Sequence, residues 1–187
     1  MLSVAKRERV DCIIIGGDIV PHTYSETSSI GILSAQAAYL QDIFIPAIKD
    51  FKQRRDLTVY LDLGNDDFKC NREILEEHED LVRLLHFTRH RLTDAVDIIG
   101  YMVVPPTPFA MKNWEKPDSS EIPHAPGSVV SLEGYNPKAG ELVETVLNLS
   151  SDDTIERDLD RLSANYHIIC PYNLSLFNDV TKSTYFP

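Results

Sequence analysis

The sequence predicts an α/β fold, because short apolar runs that read as strands alternate with a segment of helical periodicity. The run at residues 10–15 contains three consecutive isoleucines and ends at Gly16-Gly17, which is typical of a buried strand in a layered sheet. A second predicted strand, residues 58–63, alternates apolar side chains on one face and ends at Gly64. Asp18 therefore follows the carboxyl end of one predicted strand, as Gly64 follows the other.

A helix is predicted between the two strands. Apolar residues recur there at spacings of three and four and define one face: Ile30, Leu33, Ala37, Leu40, Phe44 and Ile48. Ser28 or Ser29 can cap the start of this helix. Pro46 lacks a backbone N–H, so we expect it to kink the helix or divide it in two.

The elements after the second strand are expected to be short. Residues 71–80 are rich in glutamate and read as a helix with a solvated acidic face. Three more strands joined by polar turns are expected at residues 81–85, 89–92 and 96–103. Residues 105–137 hold most of the prolines and read as an ordered excursion or a flexible surface loop, anchored by Phe109, Trp114 and Tyr135.

The last predicted elements are a helix and a strand. Ser151 or Asp152 can cap the helix, and its apolar face contains Ile155, Leu159 and Leu162. The strand is expected at residues 166–170. A length of 187 residues with 43% hydrophobic content suits one compact domain, so we assign residues 1–187 to a single domain.

The charge of the chain excludes some classes of partner. It carries 29 acidic and 18 basic residues, a net charge of −11, whereas proteins that bind nucleic acid place a basic surface against the phosphates. We therefore expect no nucleic-acid partner. A phosphorylated small molecule would also be repelled, so a site for a phosphoester would need bound cations to reverse the local field.

Cysteine spacing and hydropathy bear on the compartment. Cys12, Cys70 and Cys170 lie far apart without a C-x-x-C spacing, which indicates neither a disulfide framework nor a zinc ribbon. No apolar run approaches the roughly 20 residues of a membrane-spanning helix. We expect a soluble cytoplasmic protein with no membrane partner.

The two strand-end clusters are the strongest candidates for a site. Gly17-Asp18 and Gly64-Asn65-Asp66-Asp67 each combine glycine with oxygen donors, which is what a metal site needs. Either cluster alone could be an ordinary turn, since asparagine and aspartate are common there. His86 and His90 would share a face only on a helix, and strand and turn are predicted in that region, so a metal role is disfavoured for them.

These clusters resemble two blocks in the motif series of the calcineurin-like metallophosphoesterases. That series runs D-x-H, then G-D, then G-N-H or G-N-D followed by an acid, then a lone His, then G-H-x-H. Gly17-Asp18 matches the second block and Gly64-Asn65-Asp66-Asp67 the third. Residues 11–22, 101–114 and 171–173 are similar to a prokaryotic branch of the family, so the resemblance covers nearly the whole chain by pattern.

The resemblance implies roles for three residues. Asp18 would bridge two divalent metal ions, which in this family are manganese, iron, zinc or magnesium, and Asn65 would bind one of them. Asp66 replaces the histidine that can protonate the leaving group. A carboxyl group could do so only with a pKa raised by burial, which a nearby metal would oppose, so a catalytic role and a merely polar role both remain open for Asp66.

Departures from the motif series lead to a further expectation. The D-x-H and G-H-x-H blocks are missing, and no histidine is in register near Cys170, where the lone His is expected. We therefore expect an incomplete copy of a layered sandwich of mixed β-sheets flanked by helices. It would hydrolyse a phosphoester weakly or not at all, and the missing blocks are compatible with loss of the metal. The alternative is a non-catalytic binding or interaction protein.

Self-association is a related expectation. Loss of a central strand would expose the edges and apolar surface of its neighbours. Residues 13–15 and 59–63 are the segments expected to lose packing partners. A P-loop nucleotide-binding module is excluded because the chain contains no G-x-x-x-x-G-K-[ST] sequence.

Overall fold

The computed structural model describes residues 1–21 and 29–164, which form a mixed α/β fold of helices and small sheets. The helices are α1 (Leu2–Glu8), α2 (Ser29–Tyr39), α3 (Ile45–Arg54), α4 (Asn71–Glu76) and α5 (Ile155–Ser163). The strands are β1 (Cys12–Ile15), β2 (Thr58–Leu61), β3 (Arg83–Leu84), β4 (Arg89–Arg91), β5 (Asp97–Ile99), β6 (Glu133–Lys138) and β7 (Glu141–Val146). These α/β elements agree with the predicted fold class, although most strands are shorter than expected.

A parallel sheet of three strands in the order β1-β2-β3 organises the fold. Ile13 pairs with Val59 and Ile15 with Leu61, so these side chains lie on the same face of the sheet. Together with Leu63 they are buried in one hydrophobic cluster with the apolar residues of the helical segment between β1 and β2. The helical segment therefore covers this face.

Pro46 does not break this helical segment: a π-helical turn, Leu40–Phe44, joins α2 directly to α3, and Tyr39, Phe44 and Ile45 all keep right-handed helical backbone angles. Pro46 lies in the first turn of α3, so the expected division appears only as a local change from α-helical to π-helical hydrogen bonding before the proline. The predicted apolar face is also observed, since Leu33, Leu40, Phe44 and Ile48 are buried. Gln36 is buried with them, which the apolar periodicity does not reveal.

The expectation that residues 13–15 and 59–63 lose their packing partners is wrong for all but one side chain. Ile13, Ile15, Val59 and Leu61 are buried, whereas Ile14 on the opposite face of β1 is 51% exposed. The prediction that β1 is a buried strand therefore holds for one of its faces only. In the described part of the chain, β1 pairs with β2 alone and forms the edge of its sheet.

The proline-rich stretch ends in a hairpin that we did not predict. Strands β6 and β7 pair around Ala139-Gly140, whose positive φ angles of 52° and 82° suit a tight hairpin turn. Pro137 lies within β6, which is tolerated because each strand of a two-stranded sheet has one unpaired edge. Of the three expected anchors only Trp114 is buried, at 2% exposure, while Phe109 and Tyr135 are exposed.

The structure corrects the predicted cap of the last helix. Helix α5 is present, but its cap is Thr154, whose hydroxyl accepts a hydrogen bond from the Arg157 N–H at 3.2 Å, and not Ser151 or Asp152. The strand predicted at residues 166–170 lies outside the described residues. No helix in residues 1–21 or 29–164 is long and apolar enough to span a bilayer.

Candidate functional site

The carboxyl ends of β1 and β2 meet at one edge of the parallel sheet. The N–H of Asp62, just after β2, donates to the carbonyl of Ile15 at 2.9 Å. Gly17, with φ of 107°, then approaches Gly64 so closely that a Cβ on Gly17 would clash with the Gly64 backbone. The two glycines thus let the loops after both strands come into contact, which side chains would prevent.

Asp18, Asn65 and Asp66 lie together at this contact. The exposed Asp18 adopts a left-handed backbone conformation, with φ of 53°, and its Oδ1 accepts a hydrogen bond from the Asp66 N–H at 3.3 Å. A Cβ on Gly64 would overlap the Asp18 carboxylate. Asn65 Nδ2 donates to Asp66 Oδ1 at 3.2 Å. The residues predicted from the two clusters therefore form one hydrogen-bonded patch.

Asp67, to which we assigned no role of its own, holds the two loops together. Its buried carboxylate accepts hydrogen bonds from the N–H groups of Gly64 at 2.7 Å, Val20 at 3.1 Å and Ile19 at 3.2 Å. Burial raises the pKa of this carboxyl group, and the three N–H groups oppose that rise. The short spacing from Gly64 to Asp67 was the one available signal for such a clamp.

A second set of contacts braces the loop from beneath. The buried amide of Gln36 donates through Nε2 to the Asp66 carbonyl at 2.9 Å and accepts at Oε1 from the Phe68 N–H at 3.0 Å. Trp114 Nε1 donates to the Asp67 carbonyl at 2.7 Å. The loop after β2 is therefore held from α2 on one side and from the proline-rich stretch on the other.

Comparison of the chain with protein-family models, curated proteins and solved structures found no match. The donor atoms themselves suit a hard cation, because Asp18 and Asn65 offer oxygen ligands. In residues 1–21 and 29–164, no group of three or more His, Cys, Asp or Glu side chains is placed to hold a metal ion. A cation held by Asp18 and Asn65 would therefore need water for its remaining ligands, which magnesium usually keeps.

A buried carboxyl group that sequence reasoning missed lies further along the same strand end. Asp62 is 8% exposed, and burial raises its pKa to about 7, against the opposing influence of the His86 and Leu85 N–H groups and the Arg72 charge. Its Oδ1 has no hydrogen-bond partner within the described residues. Gly100 leaves room for this carboxyl group, since a Cβ there would clash with it.

His86 is buried beside Asp62 and is neutral at pH 7. Burial first, and then the charges of Arg72 and Lys69, lower its pKa to about 4. Its Nδ1 accepts a hydrogen bond from the Met102 N–H at 3.1 Å, so the proton of the neutral ring is on Nε2. The ring also meets Trp114 edge-on, with 5.4 Å between centroids. His90 lies on β4, so the two histidines share no helical face, in agreement with the prediction.

Proposed function

We propose that this chain is a metallophosphoesterase-like domain, a layered sandwich of mixed β-sheets flanked by helices. It would bind a divalent cation weakly through Asp18 and Asn65 and hydrolyse phosphoesters slowly or not at all by itself. The observation that carries this proposal is the contact between the Gly17-Asp18 loop and the Gly64-Asn65-Asp66-Asp67 loop at the carboxyl edge of a parallel sheet. That edge is where ligands bind in open α/β sheets.

The chemistry of the patch supports weak binding of a hard cation. Carboxylate and amide oxygens suit manganese or magnesium better than zinc. Iron and zinc are also used by the family that the sequence resembles. When bound, such a cation would polarise a phosphoester oxygen and lower the pKa of a coordinated water. Asp18 would supply the negative charge and Asn65 a neutral oxygen, so affinity should depend mainly on Asp18.

Asp66 is the proposed proton donor to the leaving group. Its backbone N–H donates a hydrogen bond to the Asp18 carboxylate at 3.3 Å, so its side chain begins close to the proposed cation site. The clamp at Asp67 and the brace from Gln36 hold this backbone in place. Donation to an oxygen of a phosphoester beside Asp18 would require the protonated form of the Asp66 carboxyl group, which a nearby cation opposes, so a merely polar role for Asp66 is the alternative.

The alternative is a non-catalytic binding or interaction protein. One observation favours it: Ile14 is 51% exposed on β1, the edge strand of the described sheet. An apolar side chain on an open edge strand is suited to pairing with another chain, including a second copy. Size-exclusion chromatography with light scattering would detect such self-association. The cytoplasmic location inferred from the cysteine spacing belongs to the same proposal.

The cation site is tested by replacing Asp18 with alanine. We expect the wild-type chain to bind Mn²⁺ weakly and Asp18→Ala to bind it at least about tenfold more weakly, because the charged ligand is lost. Electron paramagnetic resonance of free Mn²⁺ during titration measures the bound fraction directly. Asp94→Ala is the matched control, since it removes an exposed carboxylate from the turn between β4 and β5.

Hydrolysis of p-nitrophenyl phosphate and its bis ester, with added manganese, nickel, zinc or magnesium, measures the activity. We expect slow turnover at most, and any turnover should fall in Asp18→Ala and in Asp66→Ala. Rapid turnover that disappears in Asp18→Ala would show that the description as a weak enzyme is wrong. Equal Mn²⁺ binding by Asp18→Ala and Asp94→Ala would refute the cation site itself.

A further inference from the structure

Strand β1 has one paired edge and one open edge. In the described part of the chain it pairs with β2 alone, and the Asp62 N–H donates to the Ile15 carbonyl, so the backbone groups of Ile15 face β2. The N–H and C=O groups of successive residues in a strand point to opposite edges. The groups of Cys12, Ile14 and Gly16 therefore point to the open edge, where they form a row ready to pair with another strand.

The side chains along this edge are also uncovered. Ile14 is 51% exposed, and Gly16 is exposed as well. Ile14 lies opposite Tyr60 of β2, which is buried and contacts the His90 ring of β4 at 5.6 Å between centroids. Strand β4 thus covers this face of the sheet at β2 but leaves the same face of β1 in contact with solvent.

The outward groups select one register for a second copy of β1. Two copies of an edge strand related by a two-fold axis run antiparallel, and hydrogen bonds then join residues whose backbone groups point outward on both strands. An axis at Ile14 pairs the most residues: Ile14 lies opposite its own counterpart, and Cys12 lies opposite Gly16 of the other copy. The two exposed Ile14 side chains would then contact each other on one face of the joined sheet.

The charges on either side of β1 suit the same antiparallel arrangement. The exposed Arg9 lies just before β1 and the exposed Asp18 just after it, so within one copy they are at opposite ends of the strand. In an antiparallel pair the start of one strand adjoins the end of the other, which brings Arg9 of each copy near Asp18 of its partner. This local attraction opposes the general repulsion between two chains of net charge −11.

We propose that the open edge of β1 pairs antiparallel with β1 of a second copy of this chain, about a two-fold axis at Ile14. The two parallel sheets would join into one continuous sheet, with main-chain hydrogen bonds supplying the affinity. This names the partner for the interaction role given above as the alternative function, and it is independent of any phosphoesterase activity. The interface is small, so we expect a dimer that is populated at about 100 µM and largely dissociated at about 1 µM.

Sedimentation velocity of the full chain over this concentration range measures the dimer. EDTA and a reductant exclude metal bridges and disulfides through the exposed Cys70. Ile14→Lys places two like charges opposite each other at the axis and should weaken the dimer at least about tenfold. Ile43→Lys is the matched control and should dimerise like the wild type, because Ile43 is 56% exposed on the π-helical turn, away from β1.

A charge exchange tests the antiparallel arrangement. Arg9→Asp places a carboxylate near Asp18 of the other copy and should weaken the dimer, whereas Arg9→Asp combined with Asp18→Asn should recover part of the affinity. Both positions have φ of 53°, which aspartate and asparagine tolerate. Circular dichroism checks that each variant is folded, so the charge exchange remains informative if Ile14→Lys is not.

Hydrogen exchange tests the register. The Ile14 N–H points to the open edge and the Ile15 N–H to β2, so a higher protein concentration should slow exchange severalfold at Ile14 and leave Ile15 unchanged. Exchange at Ile14 that is independent of concentration, in a chain that does dimerise, would show that another surface is used.

Other outcomes would also overturn the proposal. These are a chain that stays monomeric at about 100 µM, or an Ile14→Lys variant that dimerises like Ile43→Lys. A monomer in which Ile14→Lys lowers the free energy of unfolding would assign the edge to another segment of the same chain. Mn²⁺ binding at Asp18 is measured separately, so loss of the dimer and loss of the cation site are distinguishable.

Discussion

Replacing Asp67 with alanine is expected to lower the free energy of unfolding by about 3 kcal/mol. The change leaves three N–H groups, those of Gly64, Ile19 and Val20, without their acceptor. Each buried N–H group left without an acceptor costs roughly 1–3 kcal/mol of stability. The alanine variant no longer buries the Asp67 charge, which offsets part of the total cost of the three N–H groups. The loops after β1 and β2 would also separate, so Mn²⁺ binding at Asp18 should weaken in parallel.

Urea unfolding followed by circular dichroism measures this loss. Asp67→Asn keeps one oxygen acceptor and should fall between alanine and the wild type, whereas Asp94→Ala should be nearly neutral. Thermal melting should show Asp67→Ala lower by roughly 6–12 °C, given about 2–4 °C per kcal/mol for a chain of this size. Equal stability of Asp67→Ala and Asp94→Ala would mean that the carboxylate does not hold the loops together.

Replacing Asp62 with asparagine is expected to stabilise the protein at alkaline pH. The folded pKa of about 7 exceeds the usual 3.8, so the folded state holds the proton more tightly and loses stability as pH rises from about 4 to 7. Above pH 7 the cost is complete, and at about 1.4 kcal/mol per unit it amounts to roughly 4–5 kcal/mol. Asparagine cannot ionise, so Asp62→Asn should recover most of this free energy at pH 8.

His86 makes the stability of the same variant depend on pH below 6.5. Its folded pKa of about 4 lies below the usual 6.5, so the folded state loses stability as pH falls from 6.5 to 4. In the wild type the two slopes oppose each other across this window and nearly cancel. In Asp62→Asn the His86 slope is left alone, and stability should fall by about 1.4 kcal/mol per unit below pH 6.5.

Urea unfolding at pH 4.5, 6.5 and 8 separates these contributions. His86→Asn keeps an acceptor for the Met102 N–H and should leave the Asp62 slope alone, with stability rising as pH falls. Arg72→Gln should raise the Asp62 pKa further, because the Arg72 charge opposes the rise. A flat profile in both Asp62→Asn and His86→Asn would show that neither group titrates with a shifted pKa.

The sequence by itself determined the local features on which the site depends. Strands β1 and β2, the helical segment between them and the polar clusters at Asp18 and Gly64 all follow from apolar periodicity and from residues that end regular structure. These are properties of neighbouring residues, so they can be inferred without knowing the fold. That both clusters follow parallel strands is also why their contact could be anticipated.

Only the tertiary structure decided which polar side chains are buried and what they bind. In the sequence Asp67 looks like an ordinary turn aspartate and Asp62 like a polar position within a predicted strand. Yet Asp67 binds N–H groups 47 and 48 residues away, and Asp62 is enclosed near His86 and Gly100. The exposure of Ile14 likewise depends on which segment covers the outer face of β1. Burial, and with it the pKa of each group, is set by contacts between segments distant along the chain, which local patterns do not encode.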